Sequence, residues 1–61
     1  MLKFQSLTNQ NVSGTITALR QYKKNRYGIY LGQSWDKGLN LIEEFIDPTE
    51  AIKRYYELIL N

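Results

Sequence analysis

A chain of 61 residues makes one domain at most, with a thin core, because folding at this size buries only about 60% of the surface the unfolded chain exposes. Without cysteine there is no disulfide framework and no thiolate metal site; without histidine the commonest proton carrier near neutral pH and the commonest transition-metal ligand are gone. A net charge of +2 is milder than that of a typical nucleic-acid binder, and a non-catalytic, cofactor-free binding protein is the expectation.

Five segments follow in chain order. Residues 2–7 alternate and read as an edge strand, ended by the polar cluster Thr8-Asn9-Gln10-Asn11. The start lacks the apolar core of a signal peptide, and no apolar run nears the roughly 20 residues that cross a bilayer. The expectation is a soluble, cytoplasmic protein without a membrane partner.

Residues 12–22 are rich in β-branched and aromatic side chains. Val12, Ile16 and Ala18 fall on one side, Thr15, Thr17 and Leu19 on the other, and Gly14 is a candidate bulge. Lys23-Lys24-Asn25-Arg26 reads as a polar turn, with Asn25 best suited to positive φ. Residues 27–31 resume the strand pattern, with Tyr27, Ile29 and Leu31 on one face.

Asp36-Lys37-Gly38, set between Trp35 and Leu39, predicts a type I turn closed by a left-handed glycine in a tight hairpin. Residues 39–46 then form the returning strand, although Leu41, Ile42, Phe45 and Ile46 also fit helical spacing. Asp47-Pro48-Thr49-Glu50 starts a helix: Asp47 caps, Pro48 suits the first helical position, and Glu50 completes a capping box. Ala51, Ile52, Tyr55, Leu58 and Ile59 share its apolar side. The predicted fold is α+β, a single domain over residues 1–61: an antiparallel meander of three or four strands with this C-terminal helix packed on one face.

Pairing Tyr22 with Tyr27 across the first hairpin sets Ala18 beside Leu31, and pairing Trp35 with Leu39 sets Ile29 beside Phe45. The helix then covers Val12, Ile16, Ala18, Ile29, Leu31, Leu41 and Phe45. Arg20 and Glu43 fall on that same side, so either they sit at its rim or a bulge intervenes. The opposite face carries Thr17, Leu19, Tyr30, Ile42, Glu44 and Ile46, an apolar surface of the kind that marks a partner site. Tyr56 and Leu60 lie off the helix's main stripe. Scattered exposed apolar residues are also normal in so small a chain.

Two charge features bear on function. Basic residues dominate the chain through Asn40, and acids dominate from Leu41 onward, so the molecule is dipolar. The run Arg20-Gln21-Tyr22-Lys23-Lys24-Asn25-Arg26-Tyr27 places cations and tyrosines on one hairpin tip, where they suit phosphates and base stacking. The carboxylates carry no such signal. Glu43 and Glu44 point to opposite faces of a strand, Asp47 and Glu50 are explained as caps, and no spacing matches a calcium loop.

Three strands followed by a helix, with Lys37-Gly38 at the second hairpin, then Phe45, Glu50-Ala51, Lys53 and Tyr55, resembles AP2-type domains and the amino-terminal arm-binding domains of tyrosine recombinases. The resemblance covers about half the chain, residues 26–58, mostly at structural positions. It implies that the exposed face of the sheet meets the DNA major groove. Those families carry arginine and lysine on that face, whereas the corresponding strands here offer Tyr30, Asn40, Ile42 and Glu44, with Arg26 at the edge.

The leading expectation is therefore a small regulatory, inhibitor-type protein docking on a protein partner or on itself, a size that also fits products of phages and other mobile elements. Leu19, Tyr30, Ile42 and Ile46 would make the contact, with Arg20, Lys23, Lys24 and Arg26 steering. The alternative is a DNA- or RNA-binding module using Arg20, Tyr22, Lys23, Lys24, Arg26 and Tyr27.

Overall fold

The computed structural model describes residues 4–60; the first part of the strand expected over residues 2–7 lies outside them. Four antiparallel strands, β1 (Leu7–Gln10), β2 (Ile16–Lys23), β3 (Arg26–Gly32) and β4 (Asn40–Phe45), form one sheet in the order β1-β2-β3-β4, followed by helix α1 (Pro48–Leu60). The predicted α+β meander with a terminal helix is the observed fold. Residues 40–45 are strand, not helix.

The first strand runs on through Gln10, beyond its expected end at residue 7, because only Asn11, the last residue of the polar cluster, makes the turn. Its Oδ1 accepts from the Ser13 and Thr15 N–H groups, each at 3.0 Å, and Gly14 turns the chain at φ +97°. An asparagine side chain standing in for a backbone acceptor is a familiar turn former. Thr8, Asn9 and Gln10 are thereby left in the strand. Val12 sits fully exposed in the turn and is not a core residue.

Both later turns match the expected chemistry. Asn25 takes φ +62° at the β2–β3 tip, and Gly38 takes φ +79° where its N–H bonds the Trp35 carbonyl at 3.2 Å. That second turn lies inside a longer connection, however, and does not join the strands directly.

Registry is where sequence and structure part. At the hairpin tip Lys23 pairs with Arg26, the register the sequence implies. Tyr22 then forms a bulge, and from Gln21 inward the pairing shifts by one residue, so Ala18 faces Tyr30 and Leu19 faces Ile29. A second bulge, at Ile42, separates the pair Tyr30–Leu41 from the pair Ile29–Glu43. A one-residue shift moves side chains to the other face of the partner's ladder.

The helix consequently covers Leu19, Tyr27 and Ile29. These form the core with Ala51 and Tyr55, and Leu7, Phe45, Ile52, Leu58 and Ile59 pack around them. Ile16, Ala18 and Leu41, expected under the helix, belong to the side that it leaves uncovered. Ile29 and Phe45 are under it, as expected. Asp47 caps α1, its Oδ1 accepting from the Thr49 N–H at 2.9 Å.

Glu43 does sit on the helix side, at the rim. Arg54 of α1 reaches it with Nη2 2.9 Å from Oε2 and Nε 3.1 Å from Oε1, a fork-on-carboxylate geometry that ties helix to edge strand. Arg54 also approaches Glu57 at 3.6 Å. Paired acids hold the Arg54 guanidinium charged beyond its already high ordinary pKa, Glu43 first and Glu57 second.

Candidate functional site: the open sheet face

The bulge at Tyr22 decides what the uncovered face presents. Arg20, Tyr22, Gly28 and Tyr30 share it, with Leu41 contributed by β4. Gly28 is buried beneath them. A β-carbon added there would lie 2.6 Å from Leu41 Cδ1, 3.2 Å from Tyr30 Cε1 and 3.3 Å from Tyr22 Cε1. The two tyrosine rings and the leucine therefore converge over a position with no side chain. An aromatic leaning across a strand glycine supplies the packing that the glycine lacks.

Arg20 completes the cluster. Its guanidinium lies over the Tyr30 ring, 5.6 Å from the centroid, in cation–π range. Such a contact holds the planar charge against the sheet. Among the described residues none of Arg20, Lys23, Lys24 and Arg26 is in an ion pair; the paired acids Glu43 and Glu57 are both engaged by Arg54 on the helix side. Glu44, opposite Gly28 on the edge strand, is the acid of the open face.

The β3–β4 connection bounds the face at its far end. A β-carbon at Gly32 would collide with Leu39 Cδ2 and come 2.7 Å from the Gly38 carbonyl oxygen, so this segment lies against the strand. Ile16, the register partner of Gly32, is completely buried, as is Ala18 opposite Tyr30. The open face is thus packed at this end. At the β2–β3 end it runs into the basic tip.

The residues expected to form an apolar docking face are dispersed. Leu19 is 0% exposed and lies in the core, because the Tyr22 bulge places it under the helix. Tyr30 is on the open face. Ile42 lines a concavity of about 370 Å³ with Thr15, Leu31 and Asn40. Leu31, two residues on from Ile29, belongs to the helix side, so Ile42 and Tyr30 do not make one surface. Ile46 is exposed beyond the end of β4.

The basic set fares better. Arg20 and Tyr22 come together on the open face, and Lys23, Lys24 and Arg26 are exposed at the tip that continues it. Tyr27 is the exception. It is buried on the helix side with its ring 4.8 Å from that of Phe4, since it pairs with Gln21 and Phe45 there and not with the bulged Tyr22. Gly28 and Leu41 are the members the sequence did not single out for this role. A strand glycine closely followed by Tyr30, with Tyr22 on the neighbouring strand, is the one signal that could have pointed to such a cluster.

Fold and site together define a small α+β domain, a four-stranded antiparallel meander with one helix on one side and an aromatic-basic surface on the other. No helix among the described residues is long and apolar enough to cross a membrane. No family model, curated protein or solved structure matches the chain.

Proposed function

We propose that this domain is a non-catalytic nucleic-acid-binding module that engages its ligand through the β2–β3 hairpin and the open face of the sheet. The observation that carries the reading is the continuity of Arg20, Tyr22 and Tyr30 with Lys23, Lys24 and Arg26, four cations with no ion pair among the described residues, joined to two tyrosines on one surface. Cations neutralise phosphates and release counterions, and aromatic rings meet base or sugar.

A gel-shift or anisotropy titration at about 50 mM and about 200 mM salt tests it, because binding through phosphates weakens steeply over that range. Changing Lys23, Lys24 and Arg26 together to glutamine should abolish binding and leave the fold intact. No complex even at the lower salt would remove this function.

A second reading rests on a different observation. β4 is an edge strand, and Leu41, Ile42 and Ile46 at or beyond it are 44%, 42% and 67% exposed. An unpaired strand edge flanked by apolar side chains suits docking on a protein partner, or on a second copy of the chain, as an inhibitor or adaptor would. Sedimentation of the wild type and of the Ile42→Ser, Ile46→Ser double variant tests the self-association form. A monomer at all concentrations would dismiss that form.

A further inference from the structure

Resting on the nucleic-acid reading above, we infer that the ligand of the open face is a single strand and not a duplex. Three features of the face argue for it.

The first is width. Four strands spaced about 4.8 Å apart span roughly 14 Å of backbone before side chains are added, against a B-DNA major groove about 12 Å wide. The sheet cannot lie flat on the groove floor along its whole face.

The second is what the central strands offer. Reading base edges in a duplex needs arginine, lysine, asparagine or glutamine projecting from the middle of the face. At the centre of this one are Ala18, Gly28 and Tyr30, and the single arginine, Arg20, is stacked on the Tyr30 ring.

The third is the pair of tyrosines. Tyr22 and Tyr30 converge over Gly28 on the side away from the core cluster of Leu19, Tyr27, Ile29, Ala51 and Tyr55. In a duplex the faces of the bases are already occupied by neighbouring pairs, so a ring can stack on one only after it has been unstacked. In a single strand those faces are free, and aromatic side chains on a sheet are the usual platform for them. Arg20, lying over the Tyr30 ring, presents its own planar guanidinium and positive charge as the stacking surface there. Lys23, Lys24 and Arg26 lie where the backbone leaving this platform would pass over the hairpin tip. The occupant is thus an unpaired strand whose bases rest on Tyr22 and on the guanidinium of the Arg20–Tyr30 stack while its phosphates meet the tip.

Fluorescence anisotropy decides it, using labelled single strands of about 12 nucleotides, DNA and RNA, and the same DNA sequence annealed to its complement. At about 100 mM salt the wild type should hold a single strand at least about tenfold more tightly than the duplex. Tyr22→Leu and Tyr30→Leu should each lower single-strand affinity about 5- to 100-fold, while Tyr30→Phe, which keeps the ring, stays within about twofold of wild type. Duplex binding should change little in all three. The wild-type ratio stands even if a leucine variant fails to fold. Equal or tighter binding of the duplex would overturn the single-strand inference and leave the nucleic-acid reading in place. Failure of every probe to bind at about 50 mM salt would overturn both.

Discussion

Leu19 is the residue whose assignment changed most, and its truncation is the sharpest test of the architecture. It is wholly buried in β2, with Leu7 and Ile29 as register partners and Ala51 and Tyr55 in the same core cluster. Leu19→Ala removes the branched end of the side chain and leaves a hole bounded by two strands and the helix. Such a change costs about 2–5 kcal/mol in lost transfer free energy and residual cavity. A domain of this length has a total stability of about 3–9 kcal/mol, so the loss is a large share of it. At about 4–8 °C per kcal/mol the midpoint should fall by roughly 8–40 °C. Thermal unfolding followed by far-UV circular dichroism reads this directly, with Ile46→Ala as the control. Ile46 is 67% exposed beyond the end of β4, and its truncation should stay within about 0.5 kcal/mol of wild type. If Leu19→Ala melts within a few degrees of the wild type, or costs less than Ile46→Ala, the register described here is wrong. Leu19 would then lie on the open face after all.

Three further outcomes are expected. Asp47→Ala removes the oxygen that accepts from the Thr49 N–H and should destabilise the fold by about 0.5–2 kcal/mol in urea unfolding, whereas Asp47→Ser should retain most of the cap. Gly38→Ala places a β-carbon on a backbone at φ +79° and should cost about 1–2 kcal/mol; since nothing lies near that carbon, the whole effect is conformational, and Gly38→Asn should recover much of it. Tyr55 is 3% exposed, and burial raises its phenol pKa above the ordinary 10.0. The native state therefore holds that proton more tightly than the unfolded chain. The associated stability is complete below pH 10.0 and is lost as pH rises through the higher native pKa. Tyr55→Phe should flatten this alkaline decline in a melting-temperature profile, and an unchanged profile would show that Tyr55 does not cause it.

The placement of the site depended on two single-residue events. The basic run 20–27 was plain in the sequence as a hairpin tip, because lysine, asparagine and arginine between strand-like residues have few other uses. Its tyrosines could not be sorted from the sequence, because Tyr22 and Tyr27 look equivalent around that turn. One bulge separates them. Tyr22 goes to the open face over Gly28, and Tyr27 goes into the core beside Phe4. The same bulge exchanges Leu19 for Arg20 on the open face. That exchange converts an expected apolar docking surface into an aromatic-basic one.

Local chemistry alone was enough to determine the helix, the two central strands and their turns, whereas it sets β1 too early and allows helix as well as strand over residues 39–46. Asp47-Pro48 starts the helix, Asn25 and Gly38 take the positive φ their turns require, and alternation marks the strands, because each of these preferences is settled within a few residues. The faces were decided only by tertiary structure. Strand side chains alternate with a period of two, so one extra residue at Tyr22 and another at Ile42 reset which side each pairing turns toward the helix. The energy that selects a bulge comes from packing Leu19 and Ile29 under Ala51 and Tyr55, contacts between residues far apart in the chain, which no short window of sequence contains.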